Sequence, residues 1–190
     1  YVILDAGGPI TQTEKITAGS LTTTSTGGQT LTNVNNSVGS FSATNTVGGA
    51  INLVNTAPVE TVPPYTLKVT GITQAAGAEI SIQNTGDINI TGTIGGGTVT
   101  NLTADGAISQ SGAGMITTPG LVANSTGGMT LNGPNTLTDF SGSDTGVESD
   151  IWLTNTGGGV ITIGSITSDN GGITINNTGN ININGPIAAT

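Results

Sequence analysis

The chain of 190 residues contains no cysteine, no histidine and no arginine, and its only cations are Lys15 and Lys68. Without cysteine there is neither a disulfide nor a thiolate metal site, so stability must come from the packed chain itself. Without histidine the commonest general base and metal ligand is missing. A net charge of −9 with two lysines offers no cationic face, which excludes nucleic acid and anionic membrane surfaces as electrostatic partners. Only 3% of residues are aromatic and 7% are charged. No apolar run approaches the roughly 20 residues of a membrane helix, and nothing at the start reads as a signal peptide.

What is present is glycine, at 32 positions, together with threonine, asparagine, serine and a regular supply of isoleucine, leucine and valine. Such low charge could accompany disorder, but the apolar residues arrive in ordered pairs. Ile80 and Ile82, Ile88 and Ile90, Ile173 and Ile175, and Ile181 and Ile183 alternate with small polar residues. Period two with β-branched residues predicts short strands with one face inward. No stretch carries a helical period, and glycine at this density disfavours helices. NTG at 84–86, 155–157 and 177–179, with glycine pairs at 27–28, 48–49, 127–128 and 171–172, supplies corners, since asparagine and glycine tolerate a left-handed backbone.

The chain also repeats itself. GPITQT at 8–13 returns as GAISQS at 106–111, STGGQTL at 25–31 as STGGMTL at 125–131, and INLVNT at 51–56 as IWLTNT at 151–156. ISIQNTGDINITGTI at 80–94 returns as ITINNTGNININGPI at 173–187. Self-similarity of this kind marks a stacked-repeat architecture in which neighbours close each other's core. Within each long repeat, apolar residues recur about 20 positions apart: Leu131 and Ile151, Leu153 and Ile173, Ile161 and Ile181. The expectation is an all-β, right-handed parallel β-helix of about 20 residues per coil and about 9–10 coils, a rod roughly 45 Å long at ~4.8 Å per coil. It forms one β-solenoid over 1–190, with superrepeats at about 1–97 and 98–190. APVETVPPYT at 57–66 replaces the shorter GGG at 157–159; its prolines cannot donate to a ladder, so a loop insertion leaving the rod near Tyr65 is expected.

Candidate sites are few. Asp139, Asp144, Glu148 and Asp150 in DFSGSDTGVESD are the one local concentration of acid, and a weak Ca²⁺ site is one reading, because hard cations take carboxylates and carbonyls. The simpler reading is a solvated loop: the spacing matches no calcium motif, and the first copy, SATNTVGGA at 42–50, has no acid. Glycoside hydrolysis would need two carboxylates across a bond; no cation or aromatic groove accompanies these, and no catalytic residue or cofactor is assigned. Trp152, the only tryptophan, lies between Ile151 and Leu153 and is expected to point outward. It and Tyr65 are the candidate partner contacts, against the alternative of local packing. Phe41 and Phe140 occupy matched places and are expected in the core. Asn84, Asn155 and Asn177 are expected to form corner ladders, each amide bonding the next coil.

GAISQSGAGMITTPGLVANSTGGMTLNGPNTL at 106–137 resembles the repeats of large bacterial exoproteins of the filamentous-haemagglutinin type, exported by two-partner secretion, as does 173–187. The resemblance implies a β-helix on or outside the bacterial surface, acting in adhesion or extracellular structure. Taken with the repeat, it sets a leading expectation of a non-enzymatic filament or stalk segment that associates end to end and attaches to a cell surface. An adhesin segment that binds glycans is the alternative, and a polysaccharide-degrading enzyme the least favoured. Tyr1 aligns with Val99, and Thr190 with Gly97, leaving only Thr98 between the two partners. The beginning of the chain therefore continues the pattern at its end, as in a window on a longer array or a subunit stacking head to tail.

Overall fold

The computed structural model describes residues 1–56 and 65–190. Most of its strands are short because a few alternating residues are followed by a corner, while four of the described strands run to eight or nine residues. In the first superrepeat they are β1 (Val2–Asp5), β2 (Ile10–Thr11), β3 (Thr17–Ser25), β4 (Gln29–Leu31), β5 (Ser37–Asn45), β6 (Ile51–Asn55), β7 (Thr66–Gln74), β8 (Ile80–Asn84), β9 (Asp87–Ile90) and β10 (Thr93–Gly96). The second carries β11 (Val99–Ala104), β12 (Ile108–Gln110), β13 (Met115–Thr117), β14 (Gly120–Ser125), β15 (Met129–Asn135) and β16 (Asp139–Asp144). It continues with β17 (Ile151–Asn155), β18 (Ile161–Ser168), β19 (Ile173–Asn177), β20 (Ile181–Ile183) and β21 (Ile187–Ala189). The described residues contain no helix long and apolar enough to cross a membrane.

All pairings are parallel, and they build two facing sheets. The first runs β1-β3-β5-β7-β9-β12-β15-β17-β19 and the second β2-β4-β6-β8-β11-β14-β16-β18-β20, with β10, β13 and β21 paired beside these paths. The chain is a β-solenoid of about nine turns of about 21 residues. Stacked partners differ slightly from the 20-residue spacing expected for two of the apolar pairs. Leu131 stacks on Leu153, and Ile151 on Ile173, whereas Ile161 does stack on Ile181. The coil holding the insertion is longest, with Phe41 paired to Val69 and Ile51 to Ile80. The expected loop at 57–66 lies outside the described residues except for Tyr65 and Thr66, and Thr66 already opens β7.

The inward faces form one continuous core. Phe41 and Phe140 are buried in it on opposite walls, from β5 and β16. Corner ladders line its edge: the Asn55 side-chain amide donates to Asn84 Oδ1 at 2.9 Å, Asn155 to Asn177 Oδ1 at 2.9 Å, and Asn45 to Gln74 Oε1 at 3.1 Å. Each buried amide thereby satisfies a neighbour's polar group where a corner exposes backbone to the core.

The opposite-wall placement of the two phenylalanines is general. β6 lies in the second sheet and its repeat β17 in the first; β8 lies in the second and its repeat β19 in the first. Each superrepeat spans nine alternating strand levels along the two paths, five in one sheet and four in the other. One superrepeat is therefore an odd number of half-coils, and only two together return the chain to its starting phase, sheet over sheet.

Candidate functional site

Because the superrepeats share a backbone plan, a side chain the fold does not need stands out as a difference between copies. One group of such differences lies at the corner from β16 to β17. At the matching corner in the first copy, Asn45 ends β5 and its Oδ1 accepts from Ser25 Oγ at 3.1 Å and from the Gly28 amide at 3.1 Å. Its amide donates to the carbonyls of Gly48 and Gly49 at 2.9 and 2.7 Å. In the second copy Asp144 takes this position, accepting at Oδ1 from Ser125 Oγ at 2.7 Å and from the Gly128 amide at 2.9 Å. A carboxylate has no N–H for the corner carbonyls. The second corner instead carries one more residue, Ser149, whose hydroxyl donates to Asp144 Oδ2.

The four acids of the sequence therefore separate. Residues 139–144 form β16 rather than a solvated loop, and Asp144 is fully buried. Asp139, exposed, lies at the other end of β16, about 17 Å away at ~3.3 Å per residue. Among the described residues no three acidic groups are close enough to share a metal ion. Only Glu148 and Asp150 face one space. Glu148 adopts φ +58°, matching Gly49 at φ +79° in the first copy, a conformation costly for a residue with a Cβ. Asn170, at φ +59°, is the other non-glycine with positive φ among the described residues. Glu148 and Asn170 flank a shallow groove of about 590 Å³ that also meets Asp150, Gly171 and Gly172.

Trp152 projects outward from β17, as the alternation requires, and is 44% exposed. Its ladder neighbours are Thr130 and Thr174, short side chains that leave the indole standing above the sheet. The indole Nε1 donates to Asp150 Oδ2 at 3.3 Å, while Asp150 Oδ1 accepts from the Gly172 amide at 2.7 Å. The Gly172 hydrogen bond first, and the indole second, hold the Asp150 carboxyl below the usual carboxylate range. An open groove of about 500 Å³ lies beside the indole, bordered by Ser109, Thr130, Asn132, Glu148, Ser149 and Asp150. The first copy has Ala50 and Asn52 where Asp150 and Trp152 stand. Tyr65, half-buried just before β7, is four strand levels from Trp152 in the first sheet, about 19 Å at ~4.8 Å per level. The two candidate contacts do not share a surface. The role of Ser149 was not legible in one copy; comparing residue counts across the two corners exposes it.

No family model matches the chain, and neither characterised proteins nor solved structures include a significant match.

Proposed function

We propose that the chain is a non-enzymatic structural segment of a β-helical filament or stalk, whose first and last coils stack coil on coil with further coils of the same kind, in a second copy or in further repeats of a longer chain. One observation carries this reading. The five isoleucines 80, 82, 88, 90 and 94 recur as Ile173, Ile175, Ile181, Ile183 and Ile187. The first five are buried beneath β11, β12 and β13. In the second set Ile181, Ile183 and Ile187 are 46, 62 and 42% exposed, although their strands keep the same alternation. The opposite end offers a matching cover. Val2, Leu4 and Ile10 stand where Thr100, Leu102 and Ile108 do in the coil that covers the first set. β1 and β19 both belong to the first sheet, and β2 and β20 to the second. A second copy placed on the exposed face continues both sheets in phase, with Val2 over Ile173 and Ile10 over Ile181. Such a heterologous contact does not close on itself and produces an open fibre.

The resemblance of the repeats to two-partner-secretion exoproteins supports an extracellular or cell-surface setting and attachment there. Sedimentation velocity across a hundredfold concentration range tests the assembly, comparing the chain with Ile181→Thr/Ile183→Thr. Threonine keeps strand propensity while removing apolar surface from the contact. Expected are species growing with concentration for the chain and monomers for the variant. Monomers for both would overturn the proposal, and a glycan-binding module that works singly would then account better for the molecule.

A further inference from the structure

The Trp152 groove lies on the lateral surface rather than on an end face, and the first copy builds the same strand and corner without Glu148, Asp150 or Trp152. Asn52 occupies the matching strand position and Ala50 the matching corner in the first copy, yet Ile51 and Leu53 are as fully buried there as Ile151 and Leu153 are in the second. Three replacements (Gly49 by Glu148, Ala50 by Asp150, Asn52 by Trp152) converge on one surface, and one of them holds a backbone conformation that L-residues avoid. Strained positions of this kind are maintained where the surface is used.

The chemistry of the lining selects a ligand class. An indole fixed by a hydrogen bond at its Nε1 edge presents a flat apolar face without further ordering, the arrangement on which pyranose rings and cations settle. Around it stand hydroxyl and amide groups from Ser109, Thr130 and Asn132, suited to exchanging hydrogen bonds with a polyhydroxylated ligand. Strand addition by a peptide needs a free sheet edge, whereas the β17 ladder is paired on both sides, to β15 and β19. Two carboxylates, Glu148 and Asp150, border the groove, and neither lysine does. Uronic-acid and sulfated sugars are therefore repelled, and an ammonium group is attracted both by the carboxylates and by the indole face.

We infer that the Trp152 groove binds an oligosaccharide bearing free amino groups, with a sugar ring stacked on Trp152 and an ammonium group held between Glu148 and Asp150. Because Trp152 is the sole tryptophan, its emission reports this site alone. The whole chain is titrated with oligomers of glucosamine, of N-acetylglucosamine and of galacturonate, following emission and, in parallel, heat of binding. Expected is a saturable emission shift with the glucosamine oligomer, about tenfold weaker binding of the N-acetylated one, and none of the galacturonate. Trp152→Asn installs the residue the first copy uses and so preserves the fold; calorimetry should then show at least a tenfold loss. Glu148→Gln should erase most of the preference for the amino sugar while leaving the emission maximum of the free protein unchanged. No saturable change with any oligomer, equal or stronger binding of the galacturonate oligomer, or unchanged binding in Trp152→Asn would overturn the assignment. The sedimentation of Trp152→Asn should match that of the unaltered chain, so failure here and failure of end-to-end stacking are separate results.

Discussion

The same five isoleucines occur twice in this molecule and have two fates. At 80–94 they are sealed beneath the next coil; at 173–187 three of them stand in the open. The isoleucine alternation is the same in the two places, and both keep parallel pairing to the coil beneath. Burial in a solenoid is thus a property of having a neighbour on each side, because stability there is a sum of coil and interface contributions. Exposing a coil that is elsewhere interior leaves a face already shaped for another coil. This contrasts with the lateral surface, where Thr130, Asn132 and Thr174 meet water without any need of a partner.

Breaking the comparison at both places gives the largest effect. Ile88→Ala should cost about 3–4 kcal/mol in urea unfolding, as expected when a fully buried branched side chain is truncated. Ile181→Ala, at the matched and half-exposed position, should cost less than about half of that when measured in dilute solution. As protein concentration rises, stacking buries Ile181, and the second cost should climb towards the first. Parallel costs at all concentrations would contradict the difference drawn between the two sets.

A smaller effect sharpens the account of the covering coil. Thr100 is fully buried between Ile80 and Leu121, and its hydroxyl is the one buried side-chain polar atom among the described residues without a hydrogen-bond partner. The first copy has Val2 at the matching position. Thr100→Val keeps the branched shape and removes the unpaired group, so stability should rise by about 1 kcal/mol, read as a higher urea midpoint with unchanged slope. A fall would mean that the hydroxyl is satisfied in solution.

Much of the fold was legible because its signals are local and repeated. Alternating isoleucines specify inward faces, NTG specifies corners, and the recurrence of both specifies stacking; the burial of Phe41 and Phe140 and the Asn155–Asn177 bond follow from these. The Asn84 amide, by contrast, turns to the Asp87 carbonyl of its own corner, and Asn84 accepts instead from Asn55. The stacking register was less legible. β15 carries extra residues between Leu131 and Asn135, where the ladder is irregular, and a spacing of 20 in sequence cannot distinguish a strand partner from a residue two positions away on the same face. The half-turn between superrepeats was hidden for a related reason, since a repeat length near 95 becomes an odd number of half-coils only once the corners are counted.

At the candidate site, the outward direction of Trp152 followed from strand alternation. The grouping of the acids did not, because one carboxylate serves the interior. Asp144 resembles its neighbours in composition, but it occupies the ladder position of Asn45, and only the stacked geometry reveals Ser125, Gly128 and Ser149 around it.

The most direct test of coil-on-coil stacking is its register. Since the chain has no cysteine, Ile3→Cys with Thr174→Cys places a single pair on the outer surface, where Asn101 and Ser81 pair inside the molecule. Stacked strands hold such residues about 4.8 Å apart, within reach of a disulfide. Mild oxidation should convert the double variant into a ladder of covalent multimers, while Ile3→Cys with Asn182→Cys, out of register, remains monomeric. Monomers from both, or equal ladders from both, would contradict an end face built to receive the first coil of another copy.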